Sequence, residues 1–321
     1  MEEQRMNADQ TVILDDFGLV DSPRTTTLLD RAPVWAVPYG DERVVVKRTS
    51  RAYGSAVATW TRHLRRSGVA VVAPVPSLAL NPRVVPPYDE QWVVYPWIAG
   101  ARYTGAKDEI AASGHLLGQI HACDPAVDFG LKTYITVRPF TADEMRNDAE
   151  TIMTHVGGHA PEKAVEAQRL LDTRMGQYVS DVLPRVQRLT LPLVSASWDH
   201  KAANLVFPTP TSPVLIDPDN AARMPRLYDL AMTALTFHLD LRLHDGPARL
   251  LTAEEWQTFL DGYRQQITLT SEECAVWPDL LLCAWMDEAI WQLQDGSEGW
   301  GDPRGRQMLL DLLELPHAFL L

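Results

Sequence analysis

The chain has 321 residues, 46% of them hydrophobic and 22% charged, with a formal net charge of −13 at pH 7. That balance describes a soluble globular protein with a large core and length enough for two domains, argues against nucleic acid as the main partner, and suits a cationic one. Three scattered cysteines (Cys123, Cys274, Cys283), a charged N-terminus without a signal-peptide core and no apolar run of membrane-spanning length read together as a cytoplasmic protein with reduced thiols, no disulfides, no metal cluster and no membrane partner.

The first residues, to about Ser22, are polar and read as an arm or short helix. Short β-rich runs follow at Thr25–Leu29, Val34–Val37 and Arg43–Lys47, the last two joined through the turn Tyr39-Gly40-Asp41. A helix is expected from about Ser55 to Arg66, with Val57, Trp60, His63 and Leu64 near helical spacing and a stop at Ser67-Gly68. Val84-Val85 and Trp92–Tyr95 read as two further strands. These elements compose a small antiparallel five-stranded lobe over residues 1–96. Residues 97–321 read as a mainly helical lobe: about Lys107–Ala122, Thr141–His155, Pro161–Leu189, then a short hairpin, then Tyr228–Leu243, Ala253–Gln266, Ser271–Gln294 and Arg304–Leu313. The expected class is α+β and bilobal. Charge divides along the same line: Arg43 to Tyr88 contains no acid, while Thr252 to Pro303 contains Arg264 as its one base among eleven acids.

The hairpin carries the chemistry. Ser197-Trp198-Asp199-His200-Lys201-Ala202-Ala203-Asn204 precedes Leu205-Val206-Phe207, a Pro/Thr/Ser turn and Val214-Leu215-Ile216-Asp217. Phosphoryl transfer from ATP needs one carboxylate to orient the attacking hydroxyl, and an amide oxygen with a second carboxylate to hold magnesium. Asp199, Asn204 and Asp217 supply that set. Singly, each residue reads more plainly as a turn or cap residue; the combination points to a kinase. His200 has no His or Cys at metal-site spacing, so zinc is not expected there.

Four segments together resemble the aminoglycoside phosphotransferase and choline kinase-like family, which has a protein-kinase-like fold. They are Asp199 to Asn204 with the strand ending Ile216-Asp217; Arg43-Val44-Val45-Val46-Lys47; Leu117-Gly118-Gln119-Ile120-His121-Ala122; and Leu227-Tyr228-Asp229-Leu230-Ala231. The resemblance implies ATP or GTP and Mg2+ as cofactors. It implies Asp199 as catalytic base, Lys47 on the nucleotide phosphates, and Asn204 and Asp217 as metal ligands, with Asp219 joining the metal shell or capping a turn. Pro96-Trp97-Ile98-Ala99-Gly100 would be the hinge that meets the adenine ring, with Tyr95 and Trp97 beside the nucleotide. His121 and Asp229 would brace the catalytic loop.

Three departures stand out. Ser197 replaces the family's His two residues before Asp199; no acid follows Lys47 on the small-lobe helix to pair with it; and the turn Leu29-Asp30-Arg31-Ala32-Pro33 lacks glycine. Lys201 completes D-x-K-x-x-N, the spacing of serine/threonine protein kinases, and would stabilise charge on the transferred group. That spacing admits a peptide Ser or Thr as acceptor, but the acceptor is expected to be a hydroxyl of a small cationic molecule such as an aminoglycoside or amino-sugar, on the evidence of the acidic C-terminal helices and Trp285-Met286-Asp287-Glu288-Ala289-Ile290-Trp291. The alternatives are a peptide Ser or Thr in ribosomal peptide natural-product biosynthesis, and a nucleotide-binding pseudokinase. Nothing in the sequence sets the oligomeric state.

Overall fold

The computed structural model describes residues 9–19, 26–29, 32–86, 88–134, 139–239, 247–295, 297–315 and 317–321. Thr25, the Asp30-Arg31 part of the glycine-free turn, and the expected Tyr228–Leu243 helix beyond Leu239 lie outside the described residues. No helix among those described is long and apolar enough to cross a membrane.

The sheet lobe consists of α1 (Gln10–Asp16), β1 (Val34–Tyr39), β2 (Glu42–Thr49), α2 (Gly54–Arg66), β3 (Arg83–Val85) and β4 (Glu90–Pro96). Its antiparallel sheet runs β1-β2-β4-β3. That is four strands among the described residues against the five expected, because Leu29 makes only an isolated bridge to Ala32. The period-2 alternation of a strand then decides what faces where. Val44 and Val46 of β2 and Trp92 and Val94 of β4 pack with Trp35, Val37 and the helix residues Ile13, Leu14 and Phe17 in one buried cluster. Register pairs Val45 with Tyr95 and Lys47 with Val93. These four therefore share the opposite face, where Val93 and Tyr95 pack with Val72, Ile98, Val214 and Ile216. A strand read as Val-Val-Val-Lys thus turns its lysine away from the lobe's core and toward the second lobe.

Helix α2 stops at Gly68, whose φ of +84° only glycine adopts without strain; its N–H closes on Arg65 O at 3.1 Å and that of Val69 on Leu64 O at 2.9 Å. The chain then pairs with the other lobe: Leu215 N donates to Ala70 O at 3.0 Å and Val72 N to Leu215 O at 2.9 Å. Val57, Trp60 and Leu64 of α2 belong to the large helical core, not to the small one.

The helical lobe follows as β5 (Ala101–Arg102), α3 (Lys107–Ala122), β6 (Lys132–Thr133), α4 (Ala142–His159), α5 (Ala164–Gln177), α6 (Leu183–Val186), β7 (Leu193–Ala196), β8 (Leu205–Phe207), β9 (Val214–Leu215), β10 (Ala222–Pro225), α7 (Arg226–Thr236), α8 (Ala253–Arg264), α9 (Ser271–Ala284), α10 (Ile290–Asp295), α11 (Ser297–Gly301) and α12 (Pro303–Glu314). Two three-stranded sheets, β6-β10-β7 and β5-β8-β9, carry the loops between them. Two expected long helices are interrupted. A π turn at Tyr178–Val182 separates α5 from α6, and another at Trp285–Ala289 separates α9 from α10. A π turn is a single wide turn inside an otherwise continuous helix, so the segments on either side still read as one helix in sequence.

Candidate active site

The loop after β7 is anchored from below. Ser197 is fully buried, and Trp198 takes a left-handed φ of +53°, which costs a non-glycine residue free energy and sharply turns the chain ahead of Asp199. His200 points inward, its Nε2–H donating to Ser113 O of α3 at 3.0 Å. Burial pushes its pKa down to about 4, so it is a neutral imidazole at pH 7. Ala202 N donates to Phe237 O beyond α7 at 2.9 Å. Below this, His121 bridges Asp229 Oδ2 (2.9 Å) and Tyr263 OH (3.0 Å), all three side chains buried. His121 and Asp229 thus tie α3, α7 and α8 together close to His200 of the loop.

Above the anchors sits Asp199. Its Oδ2 accepts from Asn204 Nδ2 at 2.9 Å and from Asn220 Nδ2 at 3.3 Å, and its Oδ1 lies 2.8 Å from Lys201 Nζ. Committing the Asn204 NH2 group to Asp199 turns the amide oxygen the other way. The β8–β9 hairpin pairs Leu205 with Leu215, and Ile216 N donates to Asn204 O at 2.9 Å, which places Asn204 beside Asp217. Asp217 thus lies two residues past the strand instead of ending it.

A second cluster forms where β2 faces this hairpin. Lys47 Nζ lies 2.6 Å from Asp217 Oδ1 and 3.2 Å from Asp219 Oδ2, and Tyr95 OH donates to Asp219 Oδ1 at 3.1 Å. Burial alone would depress the Lys47 pKa; the two carboxylates overcome it and hold the ammonium above its ordinary value. Burial, reinforced by the like charge of Asp217, raises Asp219. Lys47, which finds no acid on α2, has its partners across the cleft. Trp97 joins neither cluster: it is 38% exposed beneath the Arg43 guanidinium (4.4 Å), and its N–H donates to Arg43 O at 3.0 Å.

On the far side of Asp199 the sequence singles out Asp287, Glu288 and Trp291 but gives no sign of Lys132 or Tyr134. Trp198 meets Tyr134 at a tilt of 60°, ring centroids 4.5 Å apart, and Lys132 Nζ lies over the Trp198 ring, 4.4 Å from its centroid. Partial burial lowers the Lys132 pKa while Asp199 raises it. Tyr134 and Tyr228 donate to Asp287 Oδ2 at 2.6 and 2.9 Å. Burial raises Glu288, which accepts from Gln292 at 2.8 Å and feels both Asp199 and Lys201. Asp287, Glu288, Phe140 and the 55% exposed Trp291 line a cavity of about 320 Å³.

Comparison with known proteins bears on the fold and the family. A sequence model described as the phosphotransferase enzyme family matches residues 31–268. Among curated proteins none matches the chain. Among solved structures, an amicoumacin kinase in complex with AMP-PNP and Ca2+ is similar at 17% identity and a TM-score of 0.65, over 99% of this chain and 98% of that one. A spectinomycin phosphotransferase in complex with ADP and spectinomycin is similar at 13% identity and a TM-score of 0.59, over 92% and 89%. A choline kinase from Streptococcus pneumoniae is similar at 14% and 0.52, over 96% and 100%. At such identities these likenesses speak for the fold, which is the bilobal protein-kinase-like one. With the family model covering most of its length, the chain belongs to the phosphotransferase enzyme family and is a kinase whose acceptor is an alcohol group.

Proposed function

We propose that the protein transfers the γ-phosphoryl group of ATP or GTP to a hydroxyl of a small amine-bearing molecule of the aminoglycoside or amino-sugar kind. In this reading residues 1–96 form the nucleotide-binding lobe, and residues 97–321 carry the catalytic loop and the acceptor site. The observation that carries the proposal is the meeting of Lys47 with Asp217 and Asp219 across the cleft, beside an Asp199 held by Asn204, Asn220 and Lys201. Structures of similar fold hold ADP or AMP-PNP with Ca2+, which supports a nucleotide in the cleft.

Lys47 contacts the α- and β-phosphates. Val45, Val93, Tyr95 and Ile98 form the apolar wall against the base, with Trp97 at its exposed edge. Asp199 orients the acceptor oxygen for in-line attack and takes its proton late, and Lys201 stabilises the charge of the moving phosphoryl group. The donors available at Asn204, Asp217 and Asp219 are all hard oxygens and fit Mg2+, which when bound neutralises charge on the phosphates. The acceptor enters from the side of Asp287, Glu288 and Trp291, where carboxylates suit its ammonium groups and indole its sugar face. Three free thiols support a reducing, cytoplasmic setting.

The test is ATP and GTP consumption against aminoglycosides and other amino-sugar antibiotics. Asp199→Asn is expected to lower turnover about 10²- to 10⁴-fold, the range of a lost general base, and Asp217→Asn to abolish it, both with unchanged melting temperature. Turnover at the parent rate in either variant defeats the assignment. One observation favours a second reading, a peptide Ser or Thr as acceptor: Lys201 does reach Asp199, as the D-x-K-x-x-N spacing requires. Mass spectrometry of a candidate peptide for added phosphate separates the two.

A further inference from the structure

We propose that His63, Cys123 and Asp124 form a binding site for one zinc ion, separate from the catalytic cleft, that clamps helix α2 to the end of α3. The scattered cysteines suggest no metal chemistry in sequence, because the three ligands come from segments 61 residues apart. Folding brings them together. His63 lies in the last turn of α2, Cys123 caps the C-terminus of α3, and Asp124 follows with a left-handed φ of +43°. One ligand atom from each of the three lies within 4.8 Å of the other two.

Imidazole nitrogen, thiolate and carboxylate are the donors zinc takes, at about 2.0–2.3 Å. A tetrahedron with those bond lengths separates neighbouring ligand atoms by roughly 3.5 Å. His63 Nε2 and Asp124 Oδ2, hydrogen-bonded at 2.6 Å, need only part by about 1 Å to admit the ion. Both side chains have room to do so, being 27% and 57% exposed, while the His63 ring is steadied by Phe129 at 5.1 Å. Binding displaces the thiol proton of Cys123, and water from the open side completes the fourth position. The site differs in kind from the catalytic cluster. That cluster offers only oxygen donors to a hard ion, whereas a thiolate selects a softer one.

Its position gives the ion a consequence. Helix α2 carries no acid to hold Lys47, and its apolar face is sunk in the helical core through Val57, Trp60 and Leu64. A metal bridge at the C-terminal end of α2 adds a second fixed point between the lobes.

Cobalt titration of a Cys274→Ser background, which removes the exposed thiol, tests the proposal. A near-ultraviolet thiolate-to-cobalt band is expected to saturate at one equivalent and to vanish when zinc is added. Metal held by the all-oxygen catalytic cluster gives no such band. Cys123→Ser should abolish it, and His63→Ala or Asp124→Ala should weaken binding at least about tenfold. Zinc should raise the melting temperature of the background protein and leave that of Cys123→Ser unchanged, the two melting alike without metal. No band at one equivalent, or a band that persists in Cys123→Ser, overturns the site.

Discussion

His121 touches none of the reacting groups; it ties together the helices against which His200 of the loop is packed. Its ring is 1% exposed between Asp229 and Tyr263, and one Asp229 oxygen, Oδ1, already lacks a hydrogen-bond partner. Removing the imidazole would leave a fully buried carboxylate with no partner at all among the described residues. His121→Ala is therefore expected to cost about 3 kcal/mol of folding stability, read by urea denaturation, because an uncompensated buried charge is worth that much. A loss below about 1 kcal/mol would mean that water reaches Asp229. Residues such as Asp199, Asn204, Asp217 and Lys47 could be read from the sequence because phosphoryl transfer dictates both their types and their spacing. Asn220, Lys132 and the turn at Trp198 could not. They reach the Asp199 site from a turn, a two-residue strand and a strained φ, and no spacing rule links these in one dimension. Ser197 marks the converse case. It was flagged as a departure, and the structure shows its buried Oγ without a hydrogen-bond partner, so the loop is held instead by His200 on Ser113.

Helices α3 and α8 cross where glycine removes the Cβ from each. An added methyl at Gly114 would strike the carbonyl of Phe259, and one at Gly262 would strike the carbonyl of Ala111. Backbones this close bring Tyr263 to His121 and present Ser113 O to His200. Gly114→Ala or Gly262→Ala should force the helices apart, costing about 1–3 kcal/mol of stability. Activity should fall as well, since both loop anchors move. Gly157→Ala in α4, with nothing within 4 Å of the added methyl, should be neutral or slightly stabilising and serves as the control. Equal denaturation midpoints for all three variants would refute the close-approach argument. Of these elements, α3 was legible to the residue, Lys107 to Ala122, because its periodicity is uninterrupted. The polar segment that holds α1 reads in sequence as either an arm or a short helix. Its contribution of Ile13, Leu14 and Phe17 to the sheet core needs the sheet to be seen first. The π turn at Trp285–Ala289 shows only in three dimensions, where it turns Asp287 toward Tyr134 and Tyr228.

Because α2 is built into the helical core and Ala70 and Val72 pair with Leu215, the interior of the helical lobe reaches into the first lobe and the two should unfold together. Two buried histidines in that interior set how its stability responds to acid. Burial lowers the pKa of His200 and His238 to about 4, from the usual 6.5 of an imidazole. Each has one ring nitrogen engaged, with Ser113 O or Tyr103 OH, and a buried Nδ1 without a partner, so a second proton would have no acceptor. Between pH 6.5 and 4 the unfolded chain therefore binds more protons than the native one, and stability must rise with pH across that window and level off above it. At pH 5 the deficit is about 2 kcal/mol for each histidine. Asp219 and Glu288, which burial holds above ordinary carboxylate values, act in the opposite sense. Glu255, held down to about 2 chiefly by the Arg249 guanidinium against the upward pull of burial, loses its contribution only in stronger acid, below about pH 4.5. A variant isolates one term from this mixture. His238→Gln keeps a polar partner for Tyr103 OH and cannot titrate. The difference in unfolding free energy between pH 7 and pH 5, measured in urea, should shrink by about 2 kcal/mol relative to the parent. An unchanged difference would show that His238 titrates alike in the folded and unfolded chain, and that water reaches its Nδ1 inside the fold.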